Sequence, residues 1–349
     1  MCATNWEMTR QRFLSLWHGE MLDRPPMIVM APRAVPDAPE VEPFRDEERF
    51  WTDPDYLLPA LERELSTTFY GGDGFHVAWT KLGEAAFARE LRFHQSTFRI
   101  VPWVESWGRE SSLTLDSSGG WWLAARQVLR AYAEAAAGRY LVGLYFLPGL
   151  DTLMTIRGTG PLCLDLLDEP DRVRAARDEV DRALKRLFRE GESLIHSASA
   201  QEGLANWFGI WAPGSTLMLQ CDFSCTISRS MFDDLALPSI AGWVDFLDYP
   251  MYHLDGPGAI HHLDSLLSLE KLRGIQWEPG AGNPSAIEWL PLLKRVQSAG
   301  KFVAFVAEPR DVPVALRELD PRRLCLRVHC ASEKEACDFL ESASVLDLR

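Results

Sequence analysis

The chain lacks several features that would have named a class at once. No run of 18 apolar residues occurs in its 349 positions, so the sequence offers no membrane-spanning helix. The first 30 residues show no basic stretch followed by a long apolar one, so no secretory signal is read there. Seven cysteines are scattered without any C-x-x-C spacing, which removes the common zinc-ribbon and dithiol motifs. Their odd number in a large chain points to a reduced, cytoplasmic protein. Positive charge is also scarce: 36 Lys and Arg face 50 Asp and Glu, a net charge of −14. That balance argues against nucleic acid or an anionic membrane as the partner, since both reward basic surface. A small-molecule substrate is the expectation that remains. The glycine-rich phosphate loop is missing too. The first candidate strand runs into Met30-Ala31-Pro32-Arg33, with nothing of the G-x-G-x-x-G form. This disfavours a nucleotide-binding doubly wound sheet.

What the chain does have is apolar content of 47%, enough for a large core. Its length suits a single α/β barrel, and no linker or low-complexity stretch divides it, so residues 1–349 read as one domain. Short apolar runs without polar alternation recur at 26–30, 140–146, 216–220, 250–254, 272–277, 302–306 and 324–328. Such runs suit parallel strands covered on both faces. Helical patterns lie between them. From Pro170 to His196, Val173, Ala176, Val180, Leu184 and Leu187 draw one apolar stripe. Ser332 to Glu335 has the form of a capping box, and Asn283-Pro284 opens a helix that Gly300 closes. Residues 36–48 read as an exposed loop, and 94–122 as a β-hairpin insertion containing a strand from Thr97 to Trp103. Trp6 to His18 reads as an amphipathic helix. Repeated strand–helix units predict a (β/α)8 barrel with an N-terminal helix and this small hairpin.

In a barrel the strand ends meet at one face, where active sites form. Tyr252-His253-Leu254-Asp255-Gly256-Pro257 ends one apolar run, and His329-Cys330 ends another. His253 and Asp255 lie two apart, which on an extended segment puts both on the same face. Imidazole and carboxylate, with Cys330 as a thiolate third ligand and one open position, would suit zinc. The bland alternatives are a chance H-x-D spacing and a small buried cysteine. Asp222 and Glu278 occupy strand ends as well, as does Glu308, and could serve as general acid, base or anchor. The same acids would suit a sugar site, or merely cap turns. Arg33, just past the first strand, and Arg157 could each hold a substrate carboxylate, or be structural arginines. His261 and His262 read as helix-start or surface residues rather than ligands. Thirteen tryptophans, several beside Gly or Pro, could pack the core. They could also build a flat wall for a ring-shaped ligand at Trp107, Trp211 and Tyr252.

Two stretches carry a family likeness. Met8 to Phe13, Gly19-Glu20 and Asp23-Arg24-Pro25-Pro26 form the first. Gln220-Cys221-Asp222-Phe223 with Ser228 and Met231-Phe232 form the second, with Arg229 where Pro is usual. Together they resemble the uroporphyrinogen decarboxylase superfamily. The resemblance implies a (β/α)8 barrel and one of two activities. The first is cofactor-free decarboxylation, in which arginines hold substrate carboxylates and an Asp contacts pyrrole nitrogens. The Arg-Gln-Ala-Gly-Arg stretch of those enzymes is replaced here by Ala31-Pro32-Arg33-Ala34. The second is zinc-dependent methyl transfer between a corrinoid protein and a thiol. Its His-x-Cys and distant Cys match His253 and Cys330, with Asp255 in the middle position.

The sequence therefore leads to zinc-assisted methyl transfer, with zinc as cofactor and a corrinoid carried by a partner protein. Asp222 and Glu278 would be catalytic. Arg33, Trp107, Trp211 and Tyr252 would contact substrate, and His253, Asp255 and Cys330 would hold the metal. A metal-free decarboxylase or lyase acting on a cyclic carboxylated substrate is the first alternative, and a carbohydrate-binding barrel the second.

Overall fold

A computed structural model describes residues 5–35, 46–94, 97–107 and 120–343. Most of the loop expected at 36–48, and part of the expected insertion, fall outside these residues. Among the described residues the strands are β1 Met27–Pro32, β2 Thr68–Gly72, β3 Val77–Ala78, β4 Leu91–His94, β5 Thr97–Ile100, β6 Leu141–Val142, β7 Leu204–Ala205, β8 Trp211–Ala212, β9 Thr216–Leu219, β10 Tyr249–Asp255, β11 Gly274–Glu278, β12 Phe302–Ala307 and β13 Leu324–His329. The main sheet has seven of them in the order β2-β1-β13-β12-β11-β10-β9. All neighbours run parallel except β2, which is antiparallel to β1. The parallel steps are joined through helices, as parallel connections require.

The expected barrel is corrected in one respect. Among the described residues the hydrogen-bonded ladder does not close. β3 pairs with β6, and β7 pairs antiparallel with β8, as two-stranded pieces outside the main sheet. β6 lies beside β7, and β7 beside β9. The expected hairpin is present but earlier, formed by β4 and β5. The helix expected from Pro170 runs to Ala198 and the N-terminal helix spans Trp6–His18.

The strand pleat sorts the side chains onto two faces. On one face Val29, Tyr252, Leu254, Ile275, Trp277, Val303, Phe305, Leu326 and Val328 join the large core beneath the surrounding helices. On the other, Ile28, Met218, Met251, Phe302, Ala304 and Cys325 form a second core closed by Phe13, Leu16 and Trp17 of the N-terminal helix. This second face is the one that carries His253 and Asp255, two and four residues past Met251. The apolar core therefore fills the start of the strands, and polar groups collect at their ends.

The N-terminal helix is fixed by a buried carboxylate. Asp73, with no exposed surface, accepts from Thr9 Oγ1 at 3.1 Å, Arg12 at 2.9 Å, Arg24 at 2.5 Å and the Met27 amide at 2.9 Å. Arg12 also grips Asp23 through two nitrogens, at 2.8 and 2.6 Å. The Asp23-Arg24-Pro25-Pro26 stretch thus serves to lock the start of β1, at the end of the sheet away from His253 and Asp255.

Candidate functional site

β10 delivers His253 and Asp255 to the strand-end face, and Gly256 at φ 73° turns the chain immediately after. β9 delivers Gln220 and then the short helical turn Asp222–Thr226. Asp151, fully buried at the start of the helix Leu150–Arg157, accepts from the amides of Asp222 and Phe223, both at 2.9 Å, and so holds that turn in place. The result is a three-residue group. The donor atoms of Asp222, His253 and Asp255 all lie within 4.8 Å of one another. Among the described residues this is the only such group of three or more His, Cys, Asp or Glu.

His253 is oriented from the neighbouring strand. In register with it on β11 stands Gln276, whose Oε1 accepts from His253 Nδ1. The Gln276 amide is itself held by its Nε2, which donates to the Trp277 carbonyl at 3.0 Å. With Nδ1 carrying the proton, the Nε2 lone pair is left for another partner. Trp207 packs edge-on against the imidazole at 5.2 Å.

Burial and, to a smaller extent, like charge both act on the group. Burial in the crowded mouth raises the Asp222 pKa and the nearby Asp255 raises it further, while His253 and a hydrogen bond from Gln220 lower it. Although one side of Asp222 opens to solvent, the protein mass around its carboxyl dominates. Behind it, burial and the Asp222 charge also raise Asp151. Glu84, on the turn after β3, is pushed up to about 7, mainly by burial, and its charge is partly supported by Lys81 and a hydrogen bond from Tyr145. Glu84, Tyr145, Asp151 and Gln276 went unread in the sequence. Asp151 sits just after the apolar run 140–146, a strand-end position that could have marked it. Glu84 follows a strand of only two residues, too short to show in the pattern.

The other expected residues lie as follows. Glu278 stands opposite Asp255 across the β10–β11 ladder and accepts from the Gly280 amide at 3.3 Å. Cys330 does not join the group. It follows His329, and the pleat turns it to the opposite face, into the large core. There burial pushes its thiol up to about 11, so it is protonated at neutral pH. Asp222, not Cys330, is the third member beside His253 and Asp255. Arg33 is held by Glu333 through two nitrogens, at 2.7 and 3.0 Å, on the wall of a cavity of about 930 Å³ that none of the three residues lines. Trp107 spends its N–H on Asp165 at 2.7 Å, and Trp211 on the Glu202 carbonyl at 2.8 Å. Tyr252 is buried on the far face of β10. Trp107, Trp211 and Tyr252 are thus buried, while Arg33 faces that separate cavity. Arg157 is paired with Asp165. His262 is buried and stacked on Phe232 at 4.1 Å, a core histidine rather than a surface one.

No family model matches the chain, and no curated protein matches it. Among solved structures, the fold is similar to that of a methyltransferase from Methanosarcina mazei. The identity is 12% and the TM-score 0.62, over 96% of this chain and 97% of that one. At this identity the match speaks for the fold along the whole chain. Among the described residues no helix is long and apolar enough to cross a membrane.

Proposed function

We propose that the chain is a methyl-transfer enzyme of the uroporphyrinogen decarboxylase-like barrel type, with a divalent cation, zinc, held by Asp222, His253 and Asp255. The observation that carries this reading is the convergence of two carboxylates and one imidazole whose Nδ1 is already engaged. Two carboxylates so close repel each other, and a cation between them removes that cost. Three protein ligands with a fourth position open is the pattern of a catalytic rather than a structural zinc. Two oxygens in place of thiolates make the site harder than a sulfur-rich one. The fold likeness to a methyltransferase supports the reaction class.

When bound, the ion supplies Lewis acidity that keeps an acceptor thiol deprotonated at neutral pH. The chain's own part is to place the reactants. Glu278, beside Asp255, receives the thiol proton. Asp151 and Gln276 keep Asp222 and His253 aimed. The new S–CH3 bond forms as the donor–CH3 bond breaks, and the electron pair stays with the donor. The proposed donor is a corrinoid carried by a partner protein, or a small methylated molecule. A second reading has one observation in its favour. The raised pKa of Asp222 equips it as a proton donor in a metal-free decarboxylase or lyase.

Equilibrium dialysis against zinc, followed by metal analysis, separates the two. The full chain is expected to retain about one zinc, as an open three-ligand site requires. His253→Ala and Asp255→Ala lose it, and Cys330→Ala keeps it. No zinc in the parent protein, or its loss in Cys330→Ala, contradicts the proposal.

A further inference from the structure

A cavity of about 410 Å³ lies beside the three-residue group, within the usual range for small-molecule sites. Trp207 joins the two, since it lines the cavity and packs edge-on against His253. Phe50, Trp51, Phe75, Trp79 and Tyr132 make much of the wall aromatic, and Glu64, His76 and Lys81 also line it. Arg327 of β13 also lines it, on the same face as His253.

Among the described residues Arg327 has no ion-pair partner, unlike the other arginines of this region, although Glu64 lines the same cavity. Arg12, Arg24, Arg33 and Arg157 are each paired with a carboxylate. Around Arg327 the groups that act on its charge are the Tyr70 phenol and the Cys325 thiol. Its guanidinium lies 5.0 Å from the Phe208 ring, and one nitrogen reaches the Trp207 carbonyl only at 3.5 Å. Its Nε is buried with no hydrogen-bond partner. Six buried side-chain polar atoms lack a hydrogen-bond partner among the described residues, and three of them belong to residues that line this one cavity: Arg327 Nε, Trp51 Nε1 and Trp207 Nε1. All three are N–H donors. Unpaired buried donors are costly, so their gathering in one cavity calls for an acceptor. A guanidinium with a free edge matches a planar oxyanion best.

We infer that this cavity is a subsite for the carboxylate of a flat aromatic acid, which Arg327 binds while the aromatic walls sandwich the ring. Trp207 then sets the ring between Arg327 and His253. This names the substrate class of the proposed enzyme and rests on that reading for its catalytic meaning, though not for the binding itself.

Benzoate is the probe, followed by tryptophan fluorescence and calorimetry on the full chain, with benzamide as the uncharged shape control. Benzoate is expected to bind saturably and benzamide not. Arg327→Met is expected to weaken benzoate on the order of tenfold or more, the size of a charge-assisted contact. The same substitution should leave Tm unchanged or raised, because it removes a poorly compensated charge, whereas a structural arginine would lower it. Benzoate should bind the chelator-treated parent protein as it binds the untreated one, so absence of zinc with benzoate binding intact would sink only the metal reading. Equal binding of benzoate and benzamide, no binding of either, or unchanged affinity in Arg327→Met overturns the inference. Should Arg327→Met not fold, the benzoate–benzamide comparison on the parent protein decides.

Discussion

Glu84 shows how single residues feel the site. Its carboxyl is raised from 4.5 to about 7, burial first among the causes. The folded chain therefore keeps this proton to higher pH than the unfolded chain does. The stability it contributes is complete below about pH 4.5 and is lost as pH rises through about 7. Glu84→Gln should flatten that part of the profile. Against the parent protein it should gain up to about 3 kcal/mol between pH 4.5 and 8, the linkage value of such a shift. Urea titrations at the two pH values measure this, and parallel profiles would contradict it. The same scale explains what could be read in advance. His253, Asp255 and Asp222 were legible because each ends or follows an apolar strand. Cys330 misled because His329 before it is the residue on the site face, and the strand period of two turns Cys330 into the core. Gln276 and Arg327 were hidden inside apolar strands, where a polar residue carries no sign of which face it meets.

At the scale of elements, the sequence placed most strands of the main sheet within a residue or two. β1 and β9 to β13 are buried along most of both faces, so their apolar runs are broken only by single polar residues such as Gln276 and Arg327. β2 was missed because Tyr70 and two glycines interrupt its pattern. The run 140–146 shrinks to two ladder residues, with Gly143 packed so tightly that a side chain there would meet the Ala205 carbonyl. Two-residue pieces such as β7 and β8 leave no periodicity to detect. The likeness at Asp23-Arg24-Pro25-Pro26 marks an architectural device, in which Asp73 ties the N-terminal helix to the start of β1. Removing this buried carboxylate leaves Arg24 uncompensated, and breaking such a buried pair typically costs about 3–5 kcal/mol. Asp73→Ala is therefore expected to lower unfolding free energy by that amount in urea titrations, while a folded sample keeps its zinc affinity. Loss of less than about 1 kcal/mol, well below the buried-pair range, would contradict this role.

Across the whole molecule, two apolar cores fill both faces of the sheet and leave the polar groups no place but the strand ends. There the chain assembles two carboxylates, an oriented imidazole and, one tryptophan away, an arginine with no counter-ion among the described residues. The acidic balance read from composition is uneven locally: the three-residue group gathers carboxylates, and the adjoining cavity carries both Arg327 and Glu64. The central claim is that the metal ligands are Asp222, His253 and Asp255. Zinc K-edge X-ray absorption on the zinc-loaded full chain tests it most directly. The account predicts a first shell of nitrogen and oxygen alone, at about 2.0 Å, whereas a sulfur shell near 2.3 Å would put a cysteine back on the metal and contradict it.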